Sequence, residues 1–214
     1  MSGCHCESGA TELAADAARR KTLVTVLWIN GVMFVAALAA GLWADSRALI
    51  ADSADNLGDA MVYGLSLFAV ERSQRWKAGA ALVKGAVQLA FGVLVLISVI
   101  HGVFYGTEPI GGMIMAMAAV SLLANLTCFA LLLKHRGDDI NMRSVWLCSR
   151  NDVISNAGVI VAGLLVFLTM SPWPDLAVGG IIAIIFLHTA YVVLRDGWAQ
   201  WQEPVDDHMN HASN

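Results

Sequence analysis

The chain has 214 residues, of which 57% are hydrophobic and only 14% are charged, and its mean hydropathy is +0.64. A soluble domain carries about 25% charged residues, so this chain has too few to cover a water-facing surface. Its formal net charge of −4 also argues against a nucleic-acid partner, because nucleic-acid-binding surfaces are basic. The composition therefore predicts an integral membrane protein rather than a soluble enzyme.

Six apolar segments are long enough to cross a bilayer as helices, which takes about 20 residues each. The breaks between the later segments carry Gly or Pro, which end helices. Since no segment alternates polar and apolar residues, the expected fold class is all-α, a six-helix transmembrane bundle. The expected spans are Leu23–Ala44, Arg47–Val70, Ala80–Phe104, Ile110–Leu133, Met142–Met170 and Pro174–Leu194.

Lysine and arginine are distributed unequally between the two sides of this bundle. With six spans, twelve of the 13 basic residues fall on the side of the two termini, and Arg47 alone falls on the other. Positive loops stay in the cytoplasm, so both termini are expected to be cytoplasmic. The protein is expected in a bacterial inner membrane. The expected organisation is a cytoplasmic tail over residues 1–21, a six-span domain over 22–195, and a short cytoplasmic tail over 196–214 with no separate folded domain.

The second span contains three acidic residues, Asp52, Asp55 and Asp59. One ionised Asp at the centre of a membrane helix costs roughly 2.5–3.5 kcal/mol on insertion scales. Asp55 and Asp59 are four residues apart and share one helix face, and Asp52 falls in the same sector of the helix. This face is expected to meet a partner or a wet cavity. Two like charges one turn apart repel each other, so the pair favours a cation between them.

The fifth span carries a matching pair, Cys148 and Asp152, again four residues apart. Counted from the predicted cytoplasmic ends, Asp59 and Asp152 both lie roughly 15–18 Å deep, near the middle of the bilayer. Two facing pairs can supply four ligands, the number that Zn²⁺ prefers in a tetrahedral site. The sequence thus makes Asp55, Asp59, Cys148 and Asp152 candidate metal ligands, with Asp52 a weaker one.

Several of these residues also have plainer interpretations. Asp52 alone fits a hydrogen bond between helices, and Cys148 alone fits a small core residue. Cys128 has no charged neighbour in sequence and is assigned to the core. Lys84 either extends to the cytoplasmic interface or pairs with an acid. The tail residues Cys4, His5 and Cys6 are too closely spaced for a structural zinc site; they form either a transient soft-metal site or an ordinary polar terminus.

These motifs resemble the cation diffusion facilitator family. The family pattern Ala-Asp-x-x-[His/Asp]-x-x-x-Asp in span two stands here as Ala51–Asp59, after a Ser-x-Ala-Leu lead-in at Ser46–Leu49. The span-five pattern His-x-x-x-Asp stands as Cys148 to Asp152, with cysteine in place of the family histidine. The resemblance covers about residues 20–195, and we expect this chain to be a short member without the family's C-terminal cytoplasmic domain.

The resemblance implies a homodimer that exports a divalent metal, Zn²⁺ or Cd²⁺, in exchange for protons. It places the transport site at Asp55, Asp59, Cys148 and Asp152, and it implies no cofactor. Without the cytoplasmic domain, the dimer would form through the transmembrane helices or the short tail. The thiol favours Zn²⁺ or Cd²⁺ over Mn²⁺ or Mg²⁺.

Two other functions are compatible with acids inside a membrane. The acids could couple Na⁺ or H⁺ to uptake of a small organic solute, although the broken helices typical of such sites are not apparent. They could also form a proton relay in a subunit of a larger membrane complex, although a relay does not require two pairs at one depth. An enzyme is the least favoured function, because no nucleophile or hydride-cofactor motif is present.

Overall fold

The computed structural model describes residues 17–69, 74–133 and 140–202, with side chains except at 17–19, 66, 68–69, 74–75, 77 and 140–151. The described residues form helices and no strands, so the predicted all-α class with six helices is confirmed. The helices are α1 (Ala17–Trp43), α2 (Arg47–Ala69), α3 (Gln74–Tyr105), α4 (Gly111–Leu133), α5 (Ile140–Thr169) and α6 (Trp173–Gln202).

Most helix ends lie within a few residues of the expected spans, although α1 begins earlier, at Ala17. Two other helices extend beyond their expected spans: α3 begins at Gln74, and α6 continues to Gln202. These two extensions pack on each other. A Cβ on Gly79 of α3 would lie 3.1 Å from Cζ3 of Trp201 on α6. The expected spans were bounded by the apolar residues alone. The helices themselves extend further, because they still pack on each other in the interfacial layer, where Trp is common.

Five of the six helices are long and apolar enough to cross a membrane: Arg20–Trp43, Ala78–Tyr105, Gly111–Leu133, Asp152–Thr169 and Trp173–Gln202. The exception is α2, which carries the three acids of Asp52–Asp59. Helix α2 contacts each of the other five helices. This central position keeps its acids away from lipid, where an unpaired charge is costly.

Large apolar side chains on the outer helices face away from the bundle. Trp28 on α1 and Leu123 on α4 are 68% and 64% exposed, as suits side chains that contact lipid acyl chains. The core around the first half of α2 combines larger aliphatic side chains with small residues, among them Ala44, Ala48 and Ala51. Small residues let membrane helices approach closely, so packing here depends on fit rather than on exclusion of water.

A tight turn joins α1 to α2 on the side opposite the predicted cytoplasm. Asp45 adopts a left-handed φ of 49°, and the Ser46 N–H donates to the carbonyl of Gly41 at 2.9 Å. This is the six-to-one hydrogen bond that closes many helix C-termini. The turn folds the start of α2 back against α1 and fixes the direction in which α2 enters the bundle.

The start of α2 is held by Asp175, a fully buried residue in the first turn of α6. Its carboxylate accepts hydrogen bonds from the Ser46 hydroxyl at 2.5 Å and the Arg47 N–H at 2.6 Å. It also accepts the Ala48 N–H at 3.3 Å. An acid at a helix N-terminus satisfies orphan N–H groups and complements the helix dipole. Here the capping acid comes from another helix, so it ties α6 to α2.

Asp45 and Arg47 extend this contact to the α3–α4 connection. Arg47 binds Asp45 at 2.7 Å and donates from Nε to the Ser98 carbonyl. Burial raises the pKa of Asp45, but hydrogen bonds from Thr107, the Glu108 N–H and Arg47 outweigh it and hold that pKa below its ordinary value. Asp45 is therefore ionised at neutral pH and links the turn between α1 and α2 to the α3–α4 connection.

Replacing Asp175 with Ala leaves the Ser46 hydroxyl and the first N–H groups of α2 without an acceptor. Hydrogen bonds to a charged group contribute about 1.5–3 kcal/mol, so we expect Asp175→Ala to lower the free energy of unfolding in detergent by about 2–3 kcal/mol. Asp196→Ala is the matched control, because Asp196 pairs with Arg195 in an exposed position on the same helix. That control should change stability by less than about 0.5 kcal/mol; equal losses in the two variants would contradict the capping role.

Candidate metal site

The two acidic motifs meet where α2 and α5 pack together. The Asp59 side chain of α2 lies within hydrogen-bonding reach of the Asp152 side chain of α5. Both side chains are half-buried. The sequence predicted that these two carboxyls lie at one depth, and the structure brings them into contact.

Asp55 completes a group of three neighbouring acids. It lies one turn before Asp59 on α2, and its carboxyl is close enough to interact electrostatically with both Asp59 and Asp152. Like-charged carboxyls at this separation cannot all be ionised in a low-dielectric site unless a proton or a cation lies among them. The arrangement therefore has the charge character of a cation site.

The fourth expected ligand, Cys148, lies on α5 one turn before Asp152. Its side chain is outside the part of the chain whose side chains are described, so its direction is not given. Among the described side chains, no three His, Cys, Asp or Glu residues are placed to hold a metal ion. The four-ligand set thus stays a prediction. The expected soft-metal tail of Cys4, His5 and Cys6 lies outside the described residues.

Asp52 occupies a different contact from the other acids. It is 1% exposed and faces Ser121 of α4, and its carboxyl is also close enough to Asp152 of α5 to interact with it electrostatically. Its Oδ2 has no hydrogen-bond partner among the described residues. Two turns separate it from Asp59, so it lies nearer to the turn between α1 and α2. The weaker assignment of Asp52 as a ligand stays a prediction.

A closed cluster lies on the other side of Asp59, toward the predicted cytoplasmic ends. Tyr63, one turn after Asp59, packs with Leu23 and Val26 of α1 and with Cys128 of α4. The Asn30 amide donates to the Cys128 sulfur at 3.8 Å. Cys128 is 4% exposed, which agrees with its assignment to the core. Tyr63 was not singled out from the sequence, although its position four residues after Asp59 places it on the same helix face.

Lys84 of α3 lies beside the acids and does not extend to the membrane interface. It is 7% exposed, and its ammonium is close enough to attract the Asp59 carboxylate. Of the two roles that the sequence left open for Lys84, the structure supports pairing with an acid. Sequence spacing could not decide between them, because the pairing depends on how α3 packs against α2.

Comparison with known proteins shows which family the chain resembles. Residues 23–199 match the family model of the cation efflux transmembrane domain. The chain is 30% identical over 219 residues to the zinc transporter ZitB of Pectobacterium atrosepticum, covering 95% of this chain and 62% of the relative. It is 26% identical over 198 residues to ZitB of Yersinia pestis, covering 86% and 63% of the two chains.

A third relative is the cadmium, cobalt and zinc/H⁺-K⁺ antiporter of Bacillus velezensis, 22% identical over 198 residues, with 86% of this chain and 63% of the relative covered. The chain thus spans a little under two-thirds of the length of these curated relatives. The family match and the five apolar helices make it a multi-pass integral membrane protein of the bacterial inner membrane. Since the family model covers most of its length, the chain belongs to the cation efflux family, with its transmembrane domain at residues 23–199.

Proposed function

We propose that this chain exports Zn²⁺ or Cd²⁺ from the cytoplasm in exchange for protons. The transported ion would bind between α2 and α5, at Asp55, Asp59, Cys148 and Asp152. The observation that carries this proposal is the contact between the Asp59 and Asp152 side chains inside an apolar bundle. The names of the zinc and cadmium transporters among the relatives support the choice of substrate.

The ligand set supplies the exchange chemistry. A bound divalent metal requires its carboxylate and thiolate ligands to be deprotonated. When the metal leaves, several anions in a low-dielectric site repel one another and bind protons instead. Metal and protons therefore compete for the same oxygen and sulfur atoms. Such competition, combined with access to the two sides in turn, is sufficient for antiport.

The cysteine at position 148 supports a soft divalent cation as the substrate. Thiolate ligands favour Zn²⁺ and Cd²⁺, whereas Mg²⁺ and Mn²⁺ favour oxygen ligands. One thiolate and three carboxylates also match the four-coordinate geometry that Zn²⁺ adopts. We further propose that the chain acts as a homodimer formed through its transmembrane helices, as its family implies.

Transport in proteoliposomes tests the function directly. The purified protein is reconstituted in vesicles with an imposed pH gradient, and Zn²⁺ and Cd²⁺ uptake are followed with a fluorescent indicator. We expect flux of both ions that rises with the gradient and stops when the gradient is collapsed. Metal flux that ignores the gradient would contradict proton exchange, and the absence of both metal binding and metal flux would contradict the transport site.

Asp59→Asn and Asp152→Asn each keep the shape of the side chain and remove one anionic ligand. We expect zinc flux in either variant to fall to the level of protein-free vesicles, because a neutral amide does not replace a carboxylate beside a divalent ion. Asp196→Asn, an exposed change on α6, is the control and should keep wild-type flux. Wild-type flux in either site variant, at equal reconstituted amount, would show that the substituted residue is not a ligand of the transported ion.

Cys148→His restores the residue type that the family pattern has at this position. Imidazole suits Zn²⁺, whereas thiolate favours the softer Cd²⁺. We expect the variant to keep zinc binding and to lower the cadmium-to-zinc affinity ratio by about tenfold, or ~1.4 kcal/mol. Asp196→Asn, the exposed change on α6, should leave the ratio unaltered. An unchanged ratio in Cys148→His would show that this thiol does not bind the ion.

A further inference from the structure

Helix α3 buries two polar side chains one turn apart, Lys84 and Gln88, which are 7% and 5% exposed. Residues four apart share a helix face, so these two side chains leave α3 in the same direction. A charged ammonium inside a membrane bundle is costly and is found paired with an acid or a cavity. Burial of Lys84 therefore requires a compensating anion close by.

The contacts of Gln88 show which helix this face meets. A Cβ added to Gly58 of α2 would lie 3.6 Å from the Gln88 Nε2, so the polar face of α3 lies directly against α2 at Gly58. The next residue is Asp59. The Gln88 Oε1 is buried without a hydrogen-bond partner among the described residues. The contact between α3 and α2 is therefore polar and includes an acceptor that no described side chain satisfies.

Lys84 lies close to the same stretch of α2. Its ammonium is near enough to Asp59 to attract the carboxylate. Lys84 is ten residues from the start of α3 at Gln74, or about 15 Å along the helix axis. The side chain therefore lies in the interior of the bundle, beside Asp59, one of the four proposed ligands.

We propose that Lys84 is a tethered counter-cation of the transport site, which neutralises Asp59 when the site holds no metal and competes with the metal for that carboxylate. The competition between Lys84 and the metal rests on the transport site proposed above, whereas the pairing of Lys84 with Asp59 does not depend on that site. An ammonium covalently attached to α3 cannot diffuse away, so it acts as a permanent competitor. Lys84 lowers the affinity for the transported ion and speeds its release.

The charge balance of the site explains why such a competitor is useful. Three carboxylates and one thiolate carry four negative charges when all are deprotonated, and a divalent ion cancels two. A site of this charge in a low-dielectric bundle would hold the ion strongly, which slows turnover in a transporter. One fixed positive charge beside Asp59 reduces that attraction without removing a ligand.

Zinc affinity tests the competition. We would titrate the purified protein with ZnCl₂ against a chromophoric chelator and compare wild type with Lys84→Met, which keeps most of the length of the side chain but removes its charge. We expect Lys84→Met to bind Zn²⁺ at least tenfold more tightly. Lys84→Arg, which keeps the charge, should stay within about threefold of wild type, and Lys21→Met, a change at an exposed position on α1, should match wild type. Equal or weaker affinity in Lys84→Met would overturn the proposal.

A double-mutant cycle tests the pairing without metal. Thermal unfolding is measured in detergent with a chelator present for Lys84→Met, Asp59→Asn and the double variant. Paired groups give non-additive effects, so we expect the double variant to be more stable than the sum of the single losses predicts. Additive losses would overturn the pairing. If the wild type binds no zinc, the proposed transport site is wrong, and the cycle still decides whether Lys84 neutralises Asp59.

Discussion

The whole bundle depends on keeping acidic side chains away from lipid. An ionised Asp at the centre of the bilayer is costly, and α2 carries three acids within eight residues, Asp52–Asp59. The fold meets this constraint by placing α2 in contact with all five other helices. Two of the acids then meet side chains of other helices: Asp52 meets Ser121 of α4, and Asp59 meets Asp152 of α5 and Lys84 of α3. A helix that is too polar to span a membrane alone thus becomes the centre of a membrane protein.

Two different kinds of contact hold α2 at its two ends. On the side away from the predicted cytoplasm, Asp175 and Ser46 form a dense polar network around the first turn of α2. Toward the predicted cytoplasmic side, α2 packs through Tyr63 into an apolar cluster with α1 and α4. The first turn of α2 is therefore positioned by directional hydrogen bonds, and its other end is positioned by apolar packing.

Much of the fold and part of the site follow from the sequence. Hydrophobic length predicted the helices, since five of the six are long apolar segments, and four-residue spacing predicted that Asp59 and Asp152 belong to facing pairs. Spacing within one helix says nothing about its neighbours, so the roles of Lys84, Asp175 and Tyr63 needed the packing of the helices. Lys84 shows the limit most clearly. A lysine near the end of a predicted span is compatible with the interface and with the interior, and its burial beside Asp59, which depends on how α3 packs against α2, distinguishes them.

The central claim is that a divalent ion binds between α2 and α5 with one sulfur and three carboxylate ligands. X-ray absorption at the zinc edge of the zinc-loaded protein measures that ligand shell directly. The four-ligand site predicts a four-coordinate shell with one sulfur at about 2.3 Å and oxygens at about 2.0 Å, and loss of the sulfur in Cys148→Ser. A six-coordinate shell of oxygens, or a sulfur that persists in Cys148→Ser, would contradict it.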